Sequence, residues 1–376
     1  MRNRMQKIKN IEFLRTFLML SIVLHHMFIT RDWCLCSIFP NIYLYSFIKS
    51  FIAFSYNSVE GFFIIAGFLL FLTFKNSIKV VDFIKKKYIR LTPVIVFSFI
   101  LCLVGTMLKA FPFKIISNLM TALLLNQFGV CISIGQNPVL WFTSVLFAGL
   151  LLYFCILKFV SKKYQTILIT ILTVLGYGIL EILQHGFFNK PLKNYYFILN
   201  IGFLRGLGGI GLGCLVAKIF QNNYTKIQNF TPSKLKKILI TFAEILSSVF
   251  VFWWLCFPHL KYNNIFFVIG FTVLFSLFIF KKGYLSNILD KDFWVFLGRY
   301  QYSMYVVHYV IIKIFGIVLW QKNVGWVVLH PVLPIVIMLL IILAVTIFAY
   351  HFVEIPCAKY LKDKLFCRTI VQGENK

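Results

Sequence analysis

Apolar runs long enough to cross a bilayer follow one another along almost the whole chain, separated by short polar gaps. Ten spans fit this pattern: about 11–29, 51–74, 91–109, 138–158, 164–183, 200–219, 238–257, 263–281, 301–320 and 333–354. A helix rising about 1.5 Å per residue needs roughly 20 apolar residues to span the hydrocarbon core, which each run approximates. A further apolar piece, 115–129, is too short and reads as a re-entrant or interfacial segment. Charge then sets the orientation. Arg2, Arg4, Lys7 and Lys9, the cluster Lys75–Arg90, Lys158, Lys162 and Lys163, Lys218–Lys237, Lys281, Lys282, Lys291 and Arg299, and Lys359–Lys376 all fall on one side. The other side holds scattered cations, among them Arg31, Lys114, Lys190, Lys193, Lys261 and Lys322. Cations collect on the cytoplasmic side, so both termini are expected there.

Composition agrees with the pattern. Of 376 residues 60% are apolar, 44 are Phe, and the mean hydropathy is +0.86. The expected fold is an all-α integral membrane bundle of about ten transmembrane helices, one domain over 1–376. It has a basic cytoplasmic N-terminus, 1–10, and a basic tail, 355–376, too short to fold alone. The net charge of +27 lies in the inner gaps and not on one face, which argues against nucleic acid. The N-terminus resembles a signal peptide but lacks a small-residue cleavage site, so an uncleaved signal-anchor is expected. Nine cysteines form no CxxC pair, and Cys34 and Cys36 are too close for a relaxed mutual disulfide. No HExxH or Cys/His ligand spacing occurs, so no metal is expected.

Chemistry concentrates in the first span, IEFLRTFLMLSIVLHHMFIT. Ionisable groups inside hydrocarbon are costly unless paired or wetted, and Arg15, His25 and His26 all lie here. Arg15 and His26 are eleven residues apart, close to three turns, so they share a face roughly 16 Å apart along the axis. Glu60, in SVEGFF of the second span, is expected at the same depth as His26, roughly 21–22 Å from the inner helix ends. A carboxylate beside an imidazole fixes its tautomer and raises its basicity, as a general base requires. A purely structural His–Glu bond between two helices is the other reading. The basic stretch FIKKKYIRLTP places Lys87 and Arg90 three apart, either as an orienting cluster at anionic lipid or as a phosphate-binding edge.

Two later features carry chemistry of their own. Gly206 to Gly211 spells GxGxxG without a preceding strand and reads as a small-residue packing face. Beside it, Arg205 needs an anion or carbonyls. His308 closes a stripe with Tyr302 and Tyr305 at i, i+3 and i+6.

These blocks, in order, resemble the acyltransferase-3 family of bacterial membrane O-acyltransferases. The resemblance rests on Arg15 with ten residues before His26, VEGFFIIAGF, and the basic stretch ending at Arg90 and Pro93. NPVLWFTSVLF (137–147), FLRGLGGIGLG (203–213), FLGRYQYSMYVVH (296–308) and FVEIP (352–356) continue it. There are departures: Glu60 stands where Asp is common, Leu146 where some members have a carboxylate, and Lys87 where the family has Arg. The hydrolase-like domain that some members append is not expected here.

The resemblance implies transfer of a short acyl group, by default acetyl, from cytoplasmic acyl-CoA to a hydroxyl of an envelope polysaccharide or lipid-linked saccharide. The protein would sit as a multi-pass protein in the bacterial cytoplasmic membrane with no permanently bound cofactor. His26 would be the base and Glu60 its orienting acid. Arg15, Lys87 and Arg90 would hold the donor's phosphates or pantetheine arm, and Trp141, Arg205 and His308 would contact substrate. The rival class is a transporter or flippase for a lipid-linked saccharide, and a third is an enzymatically silent sensor. Acceptor-dependent thioester consumption separates the first from both.

Overall fold

The computed structural model describes residues 8–29, 38–125, 135–186, 188, 194–196, 199–256, 263–317, 330 and 332–371. Cys34, Cys36, Cys131, His259 and the expected outer cations Arg31, Lys190, Lys193, Lys261 and Lys322 lie outside them, as do Arg2, Arg4 and Lys7.

Among the described residues the regular structure is helical apart from one small hairpin. In order it forms α1 (Lys9–Phe28), α2 (Ile42–Phe54), a 3-10 turn (Ser55–Asn57), α3 (Ser58–Thr73), α4 (Val80–Met107) and α5 (Ile115–Ala122). A 3-10 turn at Pro138–Leu140 leads into α6 (Trp141–Phe159), followed by α7 (Lys162–Gln184). Strands β1 (Asn194–Tyr196) and β2 (Leu199–Asn200) pair antiparallel. Then come α8 (Ile201–Asn222), α9 (Tyr224–Asn229), α10 (Lys234–Cys256), α11 (Asn263–Phe280), α12 (Tyr284–Ile288), α13 (Asp292–Gly298) and α14 (Gln301–Phe315). Finally α15 (Val332–Phe348) continues through a π-helical stretch, Ala349–Glu354, into α16 (Ile355–Val371).

Among the described residues, eight helical stretches are long and apolar enough to cross a membrane: 9–28, 42–73, 80–107, 138–159, 162–184, 201–222, 234–256 and 332–365. The expected spans at 263–281 and 301–320 correspond to shorter helices, α11 and α14. The exposed faces are apolar. Along α10, Ile238, Leu239, Phe242, Ile245, Leu246 and Val249 are all exposed, a stripe with helical spacing that lipid, not water, suits.

Three boundaries differ from the sequence reading. The second span is a bent one: Ser55 Oγ bonds back to the Phe51 carbonyl (2.6 Å), the chain passes through a 3-10 turn, and helix resumes at Ser58. The basic stretch Lys85–Arg90, placed by the sequence in the gap before a span at 91–109, lies inside α4, where Ile84, Tyr88 and Ile89 interleave apolar surface and Pro93 is tolerated. The tail beyond Glu354 is helical. Pro356 has no N–H to donate, and the π-helical stretch before it absorbs the mismatch and lets the helix run on.

The chain divides into two compact units, 1–74 with 152–191 and 203–301, and 75–151 with 192–202 and 302–376. The first is built on phenylalanine. Phe267, Phe271 and Phe275 of α11 stack in series, and Phe68 of α3 meets Phe275 edge-on at 5.0 Å. Helices α3 and α8 cross at glycines. A Cβ on Gly67 would strike the Ile210 carbonyl and one on Gly213 the Ile64 carbonyl, so each backbone lies directly against the other. Gly213→Ala should therefore lower stability by about 1–3 kcal/mol, read as a lower midpoint in thermal unfolding of the solubilised protein. A midpoint equal to that of the unsubstituted protein would contradict this packing.

The second unit ties α14 to the polar segments before it. Tyr302 OH donates to the Leu91 carbonyl of α4 (2.5 Å), and Asn137 Nδ2 donates to the Val306 carbonyl (2.8 Å). Ser303 Oγ donates to Glu354 Oε2 (2.6 Å), joining α14 to the π-helical stretch.

Candidate functional site

Helix α1 carries two adjacent imidazoles. His25 and His26 are half-buried near its C-terminal end, with rings 5.1 Å apart and nearly perpendicular. His25 Nδ1 lies 2.7 Å from the Ile52 carbonyl. A carbonyl can only accept, so Nδ1 carries the proton and the neutral ring's lone pair is on Nε2. Tyr56, in the 3-10 turn, packs its ring against His25 at 6.1 Å.

Glu60 is not the partner of His26 that the sequence suggested. The hydroxyls of Ser21 and Ser58 meet at 2.7 Å and set the register between α1 and α3. His26 lies five residues to one side of this contact and Glu60 two residues to the other, an axial offset of roughly 10 Å. The expectation of equal depth took the inner ends of the two helices to be level, whereas the Ser21–Ser58 contact lies ten residues from Ile11 and sixteen from Phe74.

Glu60 instead meets Arg205. Both are fully buried, and Arg205 Nε donates to Glu60 Oε1 at 2.5 Å. Tyr177 OH donates to the other carboxylate oxygen at 3.0 Å. Arg205 also donates from NH1 to the Phe188 carbonyl (2.9 Å) and from NH2 to the Tyr56 carbonyl (3.3 Å). One guanidinium thus gathers α3, α8, the chain after α7 and the 3-10 turn. Such a pair offsets its desolvation only with further bonds of this kind. Arg205 is accordingly engaged by protein groups on three sides. The turn it holds also carries Tyr56 against His25, and the Asn57 and Asn264 amides pair beside it. The buried cluster is therefore joined to His25 by the chain between Ile52 and Ser58.

The glycines near Arg205 serve this cluster. Gly208 faces the Tyr177 ring, and Gly209 lies against Phe63 and the Tyr177 hydroxyl. The formal GxGxxG is interior helix of α8, a packing face.

Arg15 lies near the opposite end of α1. Its NH1 pairs with Glu12 Oε2 at 2.9 Å, one helical turn away, and both are partly exposed. Gln301 Nε2 donates to Thr16 Oγ1 beside them (2.8 Å).

The remaining expected residues belong to the second unit. On α4, Lys87 is half-buried with its ammonium 5.2 Å from the Phe83 ring centre, and Arg90 is exposed and electrostatically coupled to Glu354. Trp141 is buried at the start of α6. His308 is buried on α14, and its Nδ1 is 2.7 Å from the Tyr305 carbonyl, so the lone pair of its neutral ring is also on Nε2.

Sequence reasoning missed Tyr177, Tyr56 and the Ser303–Glu354 bond. Tyr177 carried a signal, a lone phenol between Gly176 and Gly178 in an apolar run. Tyr56 sits in the polar string Ser55–Ser58, which could have marked the bend.

With this geometry in hand, a family description, "acyltransferase domain", matches residues 8–351. No curated protein and no solved structure matches the chain with significance.

Proposed function

Because the chain belongs to the acyltransferase-3 family of membrane O-acyltransferases, we propose that it moves a short acyl group, acetyl by default, from acyl-CoA to a saccharide hydroxyl. The acceptor is an envelope polysaccharide or lipid-linked saccharide. The protein works in the bacterial cytoplasmic membrane with ten spans and both termini cytoplasmic. The observation that carries this reading is the family match, which spans every residue given a role below.

His26 is the general base. It takes the acceptor's hydroxyl proton as the oxygen attacks the thioester carbonyl; the C–O bond forms, the C–S bond breaks, and the departing sulfur receives the proton as free CoA thiol. His25, its tautomer set by Ile52, holds the chain beside it. Glu60 is a positioning residue that acts through Arg205 and the Ser55–Asn57 turn. Arg15, Lys87 and Arg90 supply cations for the donor's phosphates, Lys87 as a point charge and the arginines with bidentate geometry. Trp141 and His308 contact substrate through the indole N–H and imidazole Nε2.

Free thiol release from acetyl-CoA by nanodisc-embedded protein, with and without an envelope glycan extract, tests the reading. Release that requires the glycan is expected; other short acyl-CoAs are assayed alongside, since the acyl group is a default. Movement of a lipid-linked saccharide with no cleavage of any acyl-CoA would replace this reading with the transporter.

A further inference from the structure

Buried polar atoms are almost always hydrogen-bonded, and one left without a protein partner calls for a reason. Asn137 carries such an atom. The residue is fully buried and immediately precedes the 3-10 turn that opens α6. Its Nδ2 donates to the Val306 carbonyl on α14, which settles the amide's orientation, because the flipped amide would set oxygen against oxygen. Its Oδ1 then has no donor among the described residues. Seven residues along the chain, Ser144 Oγ in the first turns of α6 is likewise buried and without a partner among the described residues.

The segment bearing Asn137 is firmly held. Beyond the Val306 bond, Tyr305 OH donates to the Val139 carbonyl, so two successive points of the segment are tied to one turn of α14. Gln136 is fixed as well, its backbone N–H donating to Asn118 Oδ1 (3.0 Å) and its Nε2 to Thr106 Oγ1 (2.7 Å). The same turn of α14 leads to His308, whose Nδ1–H is spent on its own helix. An acceptor held rigidly in an apolar setting and left unmet is the arrangement a donor on a ligand would complete.

We propose that Asn137 is a substrate-binding residue whose Oδ1 accepts a hydrogen bond from an N–H or O–H of the acyl-transfer substrates. This rests on the acyltransferase reading above. Two groups have the needed chemistry: an amide N–H of the pantetheine arm of acyl-CoA, and a hydroxyl of the saccharide.

The test is steady-state thiol release by nanodisc-embedded wild type, Asn137→Ala and Tyr305→Phe, with acetyl-CoA and glycan extract varied separately. Loss of one hydrogen bond made equally in ground and transition states should raise KM for one substrate about tenfold and leave kcat within about twofold. A rise confined to acetyl-CoA assigns the pantetheine amide; one confined to the glycan assigns the hydroxyl. Tyr305→Phe loosens the same junction without touching Asn137 Oδ1, and should lower the melting temperature while both KM values stay near wild type. If Asn137→Ala does not fold, Asn137→Ser, whose hydroxyl can still donate to Val306, is judged by the same criteria. The proposal is overturned if neither KM moves in a folded variant, the oxygen then meeting only a structural water. It is also overturned if Tyr305→Phe reproduces the KM shift, or if both Asn137 variants fail to fold. A wild type that turns over no acyl-CoA overturns the acyltransferase reading itself and this inference with it, an outcome distinct from an active wild type with unaffected variants.

Discussion

Glu60→Ala destabilises the solubilised protein by about 3–5 kcal/mol, because it strands a buried guanidinium. Arg205 is 1% exposed, and the Glu60 carboxylate bonded to its Nε supplies the countercharge. The remaining carbonyls of Phe188 and Tyr56 satisfy N–H groups but do not neutralise the charge. Thermal or denaturant unfolding in detergent reads the loss directly. Glu60→Gln keeps an acceptor for Arg205 and Tyr177 and should fall between. Glu60→Leu combined with Arg205→Met should be more stable than Glu60→Ala, since no unmatched charge is left in the bundle. A Glu60→Ala protein that unfolds like wild type would show that water reaches Arg205 and that the cluster is no strut.

His26→Ala lowers acyl transfer by about 10²–10⁴-fold, the range expected for loss of a general base. The ring is half-buried, so the stability change should be small and the variant should stay folded. His25→Ala is expected to behave differently. It removes the bond to the Ile52 carbonyl, costing about 1 kcal/mol, and slows transfer less than His26→Ala does. Initial rates of thiol release for the two variants separate the roles. If His25→Ala proved the slower enzyme, the base would be reassigned to His25.

Helices were legible where an apolar run of full length stood alone, as at 11–29 and 138–158, because hydrophobic length is a local property of the chain. The bend at Ser55–Asn57 was hidden by the apolar residues on both sides, although Ser55, Asn57 and Ser58 are polar and the structure buries all three. Charge misled at Lys85–Arg90: a cationic cluster between apolar runs reads as a loop, yet nothing in Lys, Ile and Tyr prevents helix. The helix beyond Glu354 was not legible either, since the π-helical stretch that carries the chain past Pro356 has no sequence signal of its own. Within the site, Arg15, His25, His26, Glu60 and Arg205 stood out because each puts a charge or an imidazole in an apolar run. Their pairing was not legible. Glu60 and Arg205 are 145 residues apart, and periodicity reports which face a residue occupies, not which distant residue it meets.

The measurement that tests the account most directly is transfer of labelled acetyl from acetyl-CoA to envelope glycan by reconstituted wild-type and His26→Ala protein, with melting temperature followed in parallel. The account predicts acceptor-bound label with wild type and a loss of at least about 10²-fold in a His26→Ala protein that melts normally. Equal labelling by the two proteins would contradict it, and would leave His26 a structural residue of α1.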